Sequence, residues 1–244
     1  ALTVVAGSAQ DAGLLYNAAT RTLTWQGALA PAQLDYLIED SDISLPYLDL
    51  AAYGAPNLCD PFFANGEPCK DVAVTFNLGI NGYTAVLYGE PVSQLTVSSN
   101  GLLLGGDATA DGHNQWLPAT DSPHFLLAGL WRDVDMGNAE VHNGRFHAAI
   151  IAGLIDGQDV FYAQWHDAPA AGDANITARH AIVIVLASTS SAQAPSTSPT
   201  QSYATDTSTS SSLAGHAFYI YDNISDPAQI AAAGYSIGIE DKLG

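Results

Sequence analysis

Hydrophobic and polar positions alternate with a period of two along most of this chain. In "VAVTFNLGI" Val72, Val74, Phe76, Leu78 and Ile80 fall on one face, and Ala73, Thr75, Asn77 and Gly79 on the other. That is the pattern of a strand with one packed face and one wet face. The same reading predicts strands over 22–25, 34–38, 83–89, 94–99, 124–131, 145–155, 159–166, 179–188, 216–223 and 235–241. Gly, Asn, Asp and Pro separate these runs, as in "INGY" and "SNGL", where tight turns need residues that tolerate unusual backbone angles. Many short strands at this spacing predict an all-β chain, a two-sheet antiparallel sandwich of jelly-roll type.

Two segments break the alternation. "SDPAQIAAAGY" predicts one short helix near the C-terminus, with Asp226 as N-cap, Pro227 at the first helical position and Gly234 ending it. The Ser/Thr-rich stretch 188–212 has almost nothing apolar to bury against its ordering entropy, which predicts a mobile loop inside the domain.

Composition narrows the function classes. Of 244 residues, 25 are Asp or Glu and 6 are Lys or Arg, a formal charge of -19. Such a field repels phosphate backbones and anionic membrane surfaces, so nucleic acid is not an expected partner. Nor is membrane insertion expected, because no apolar run reaches the ~18 residues that span a bilayer. The first residues lack the basic-then-apolar pattern of a signal peptide, and the abrupt start predicts a piece excised from a longer precursor. Cys59 and Cys69 are the only cysteines, in "NLCDPFFANGEPCK". The Pro, Asn and Gly between them describe a loop that a disulfide can close, which implies an oxidising compartment.

The stretch "LWRDVDMGNAEVHNG" carries the densest candidate chemistry. On a strand Asp133 and Asp135 would point to one face about 7 Å apart, a spacing open to a glycosidase pair. Asp133, Asp135, Asn138 and Glu140 would also supply oxygen donors for calcium, which takes six to eight, although Gly137 and the missing twelfth-position Glu exclude an EF-hand. The third use is structural: Asp133 accepts backbone N–H groups in a turn and pairs with Arg132 or Arg145. His113, His142 and His147 lack HxH or HxxxH spacing, so zinc is not expected. Trp116, in a loop before Pro118, and His113 are the candidate ligand contacts. Trp116, Trp131 and Trp165, with Tyr219 and Tyr221 alternating on one strand, form a candidate sugar-stacking platform, although Trp131 and Trp165 are expected in the core.

Two groups of motifs carry a family resemblance. "YNAATRTLTWQGALAPAQLDYLI" (16–38) resembles the end of a bacterial extracellular β-sandwich repeat. "TVSSNGLLLGG" (96–106), "WLP" (116–118), "PHFLLAGLWRDVD" (123–135), "VFYAQWHDA" (160–168), "AIVIVL" (181–186), "FYIYDN" (218–223) and "AGYSIGIED" (233–241) follow in order. Together they resemble the accessory β-sandwich C-terminal to the catalytic domain of secreted bacterial subtilisin-like serine proteases, a module akin to the nidogen-type extracellular domain. Arg132 departs from the pattern, which often has a second acid there, and so does His180–Ala181, where an aromatic is usual.

The resemblance implies residues 1–41 as the remnant of a repeat and 42–244 as the accessory sandwich. It also implies a secreted, extracellular or cell-surface location, and as partners the parent's catalytic domain and a protein or polysaccharide substrate. No GxSxG elbow and no subtilisin-type His, Asp or Ser segment occurs, so this chain is not itself expected to be an enzyme. Its expected role is substrate or surface binding, or folding and export of the catalytic domain. The alternative is an adhesion or carbohydrate-binding module of a bacterial surface protein.

Overall fold

The computed structural model describes residues 13–17, 22–26, 45–105, 112–114, 117, 125–138, 140–141, 143–188, 213–225, 228 and 234–240. The chain divides into two compact units, residues 1–44 and 45–244. In the first, β1 (Gly13–Asn17) and β2 (Thr22–Gln26) form an antiparallel hairpin with Leu15 opposite Thr24. The strand expected over 34–38 lies outside the described residues.

The second unit is an antiparallel β-sandwich. One sheet holds β3 (Ala73–Asn77), β6 (Gln94–Ser98), β7 (Leu102–Gly105), β8 (Leu126–Trp131) and β14 (Ser236–Glu240), in the order β14-β8-β7-β6-β3. The other holds β9 (Arg145–Ile155), β10 (Gln158–Ala170), β11 (Asp173–Val185) and β13 (Ala217–Ile224), in the order β13-β11-β10-β9. A three-stranded sheet of β12 (Ala187–Ser188), β4 (Tyr83–Leu87) and β5 (Glu90–Val92) completes it.

Alternate residues of the two large sheets meet in the middle. Leu95, Val97, Leu103 and Leu127 pack against Phe146, Phe161, Ala163, Trp165, Ile182 and Ile184. Polar ties also cross the gap: the Trp165 indole donates to the Ser98 carbonyl at 2.9 Å, and the Tyr219 hydroxyl to that of Gly238 at 2.9 Å. Tyr221 likewise donates to the Gly129 carbonyl at 2.5 Å. Both tyrosines thus brace one sheet against the other, an arrangement different from the expected sugar-stacking platform. At Gly129 the approach is tight: a Cβ there would lie 3.0 Å from both His180 Cδ2 and Ile182 Cγ1.

Why β10 reads as an unbroken buried run, rather than an alternating one, is settled by its outer face. Val160, Tyr162, Val183, Val185 and Phe218 form a second core under Leu50. The covering segment 45–55 is held by groups that β10 itself supplies. The buried Gln164 accepts from Leu50 N–H at 2.9 Å and donates to the Leu48 carbonyl at 2.6 Å, while Leu48 N–H donates to the Tyr162 hydroxyl at 3.0 Å. A buried amide with both ends paired costs little and fixes the segment in register.

Several elements differ from the periodicity. The strand predicted over 72–80 stops at Asn77; residues Leu78–Asn81 turn into a 3-10 helix closed by Gly82 at φ 75°. Ile80 therefore leaves the apolar face and is 81% exposed. β7, a continuous "LLLG" run, and α1 (Asp60–Ala64), which starts with Pro in its first turn, were not expected. The predicted C-terminal helix lies outside the described residues except for Ala228, which is helical, and Gly234, its expected end, whose φ is 81°; the Ser/Thr-rich stretch lies outside them from 189 to 212.

Candidate functional site

The Asp133–Asp135 stretch is an extended ribbon stitched on both sides. Toward the first sheet, Met136 N–H donates to the Cys69 carbonyl at 3.1 Å and Cys69 N–H to that of Gly137 at 2.9 Å. Toward the second, Ala171 N–H donates to the Asp133 carbonyl at 3.0 Å and Asp135 N–H to that of Pro169 at 3.3 Å. Cys59 and Cys69 form the expected disulfide, with 5.4 Å between Cα atoms and both residues fully buried, so one edge of the ribbon is covalently anchored.

Asn100, the middle of the "SNG" turn, organises the ribbon's start. Its carbonyl accepts from Arg132 N–H at 3.2 Å, its side-chain oxygen from Val134 N–H at 2.9 Å, and its amide donates to Asp71 Oδ1 at 2.8 Å. The following Gly101 has φ 86°, and a Cβ there would lie 2.3 Å from the Leu130 carbonyl oxygen. Only glycine fits that approach.

Three of the four proposed calcium donors have separate partners. Asp133 is ion-paired with Lys70 at 3.3 Å, and Asp135 Oδ1 accepts from Gly137 N–H at 2.9 Å. Asn138 Oδ1 accepts from Glu140 and Val141 N–H groups at 2.9 and 3.0 Å, an Asx-type turn. Glu140 is exposed. Among the described residues no group of three or more His, Cys, Asp or Glu side chains is placed to hold a metal ion. Asp71, distant in sequence, borders Gly112 together with Asp133: a Cβ on Gly112 would meet Asp71 Oδ1 at 2.9 Å and Asp133 Oδ1 at 3.1 Å.

The pairing of Asp133 with Arg132 or Arg145 is corrected. Arg132 points inward, 3% exposed, and donates to the carbonyls of Ala168 at 2.7 Å and Ile176 at 3.4 Å, its pKa lowered to about 10 by burial. Arg145 lies 3.9 Å from Asp49 instead.

A second polar cluster was not anticipated. His166 Nδ1 lies 3.2 Å from the Tyr47 hydroxyl and 4.0 Å from Asp49, and its Nε2 lies 3.6 Å from Asp167. Arg179 grips Asp167 through two nitrogens at 2.6 and 3.1 Å and holds its carboxyl below the usual range. Burial, reinforced by Arg145, lowers the His166 pKa. The signal in the sequence was "WHDA" opposite "ARHA", a His–Asp step facing an Arg across a hairpin, with a bulge at Asp167, whose φ is 50°. These groups satisfy one another, and none of them is a Ser, Thr or Cys nucleophile.

Among the described residues a concavity lies elsewhere, at the lateral opening of the sandwich where β3 and β9 end their sheets. Its volume is about 480 Å³. Phe76, Leu78, Phe161 and Ile150 give it an apolar floor; Asn77 and Asn81, both exposed, and Tyr83 stand at the rim. Phe76 and Phe161 meet edge-on with centroids 5.4 Å apart, which joins the two sheets under the cleft. The Tyr83 hydroxyl donates to Asp159 at 2.6 Å. Of the candidate ligand contacts, His113 is exposed and absent from this lining, and Trp116 lies outside the described residues.

Comparison of the chain with protein-family models, curated proteins and solved structures returned no match.

Proposed function

We propose that this chain is a non-catalytic accessory module of a secreted bacterial subtilisin-like serine protease, holding a protein substrate for a catalytic domain carried elsewhere. The observation that carries the reading is the lining of the lateral cleft. Its floor is apolar, its rim offers two primary amides, and its one ionisable group, the Tyr83 hydroxyl, is already bonded to Asp159. Such a cleft has groups to bind with and none to act as nucleophile or general base. The ordered run of motifs supports the protease context, and the buried disulfide supports an oxidising, extracellular one.

The reading is tested by appending the full chain to a subtilisin-type catalytic domain. The expected result is a lower KM for a folded protein substrate and an unchanged kcat/KM for a tripeptide anilide, which is too small to span both parts.

A further inference from the structure

The two strands that flank the cleft are both sheet edges. Among the described residues β3 pairs only with β6, and β9 only with β10, so each turns an unpaired side toward the opening. The start of β9 is closed by the preceding segment: Leu58 N–H donates to the Phe146 carbonyl at 2.9 Å, and His147 Nδ1 lies 2.9 Å from the Pro56 carbonyl. Beyond that point, among the described residues, no backbone hydrogen bond reaches the outer side of β9. Ala152 and Gly153 are exposed, and Ala149 and Ile150 line the cleft.

This edge is only partly protected. Its register against β10 shifts between Ile151 and Ile155, a bulge with Gly153 at φ 66°, but the stretch 148–151 before it pairs regularly and carries no charge and no proline, two of the usual ways an exposed edge is blunted. A bare edge beside an apolar cleft is the arrangement by which proteins bind an extended peptide as an added strand, with main-chain bonds giving affinity and alternate side chains filling pockets.

We infer that the lateral cleft binds an extended cationic peptide that adds as a strand to the free edge of β9. The inference rests on the accessory reading for its biological setting and names the substrate feature recognised. In an added strand successive side chains point to opposite sides. One set enters the cleft over Phe76, Leu78 and Phe161 and is apolar. The other faces solvent in the field of a chain carrying -19, where Lys and Arg are favoured. A second copy of this chain is the poorer occupant, because two copies of that charge repel.

The test uses the full chain and a fluorescein-labelled alternating Lys–Val octapeptide, read by anisotropy and by hydrogen exchange. The account expects saturable binding, slowed exchange of β9 amides within 148–152, and at least tenfold weaker binding when alternate peptide amides are N-methylated. Asn81→Trp, which fills the rim, and Asn77→Arg, which repels the peptide, should each weaken binding at least fivefold with unchanged melting curves. Absence of saturable binding overturns the inference. So does equal affinity for the N-methylated or an alternating Lys–Gly peptide, protection at β13 or β14 instead of β9, or protection of β9 by self-association without peptide. If the peptide binds as expected but appending the chain leaves protein turnover unchanged, the accessory reading fails and the cleft assignment stands. If turnover improves equally with Asn81→Trp, the reverse holds.

Discussion

Trp165 and His180 face one another across β10 and β11 with their rings parallel to within 1° and their centroids 4.8 Å apart. His180 is 2% exposed, and among the described residues neither ring nitrogen has a hydrogen-bond partner. Burial, reinforced by the nearby Arg132 charge, pushes its pKa down to about 3. A histidine that is neutral when folded and has an ordinary pKa near 6.5 when unfolded binds its proton only in the unfolded chain. Its contribution to stability is therefore complete above about pH 6.5 and is lost progressively toward pH 3. Urea unfolding at pH 7 and pH 5 should show His180→Phe losing roughly 2 kcal/mol less than the unsubstituted chain over that interval. Equal losses would contradict the neutral, buried assignment.

Gly129 sits under that ring. Adding a methyl group there puts a Cβ 3.0 Å from His180 Cδ2 and from Ile182 Cγ1, so these two side chains must give by a few tenths of an ångström. Gly129→Ala should cost about 1–3 kcal/mol, an overpacking effect, in chemical denaturation. Gly157→Ala meets no atom within 4 Å but has φ 77°, so its cost isolates backbone strain from crowding.

The Cys59–Cys69 bridge closes a loop of sequence separation 10, and both sulfur-bearing residues are fully buried. Reductant should leave the folded chain intact and act only as it unfolds. The paired Cys59→Ala and Cys69→Ala variant should lose about 2–4 kcal/mol, measured by urea titration. The ribbon at Met136 should show the largest gain in hydrogen exchange, because Cys69 is its hydrogen-bonding neighbour.

Asp135 and Asn138 accept backbone N–H groups within the turn they shape. Replacing either by Ala should cost about 1 kcal/mol, as loss of a comparable capping oxygen does. Melting should be the same in EDTA and in millimolar calcium. A cation bound at a hundred times its dissociation constant would stabilise the fold by about 2.7 kcal/mol, so a fall on chelation would reassign these oxygens to a metal.

What the sequence made legible was whatever repeats locally. Alternation in β9, β10 and β11 marked long strands, and the residue types around Cys59 and Cys69 marked a closed loop. Trp131 and Trp165 were placed in the core, and both are fully buried. One miss is local, and the others lie in contacts between residues far apart in the chain. Ile80 kept the strand alternation but left the core, because Gly82 closes a 3-10 turn. Asp133 found Lys70 rather than its neighbours Arg132 and Arg145. Tyr47, His166, Asp167 and Arg179 converge only once the β10–β11 hairpin bulges at Asp167 and the segment 45–55 is laid over it. The cleft likewise needs Phe76 and Phe161, from opposite sheets, to meet.

The central claim, that the chain serves a protease by holding its substrate, is most directly tested by one ratio. That ratio is kcat/KM for a folded cationic protein divided by kcat/KM for a tripeptide anilide, for a subtilisin-type catalytic domain with and without the full chain appended. Appending the chain should raise the ratio about tenfold, equivalent to about 1.4 kcal/mol of added substrate binding, through KM alone. A ratio unchanged by the appended chain would contradict it.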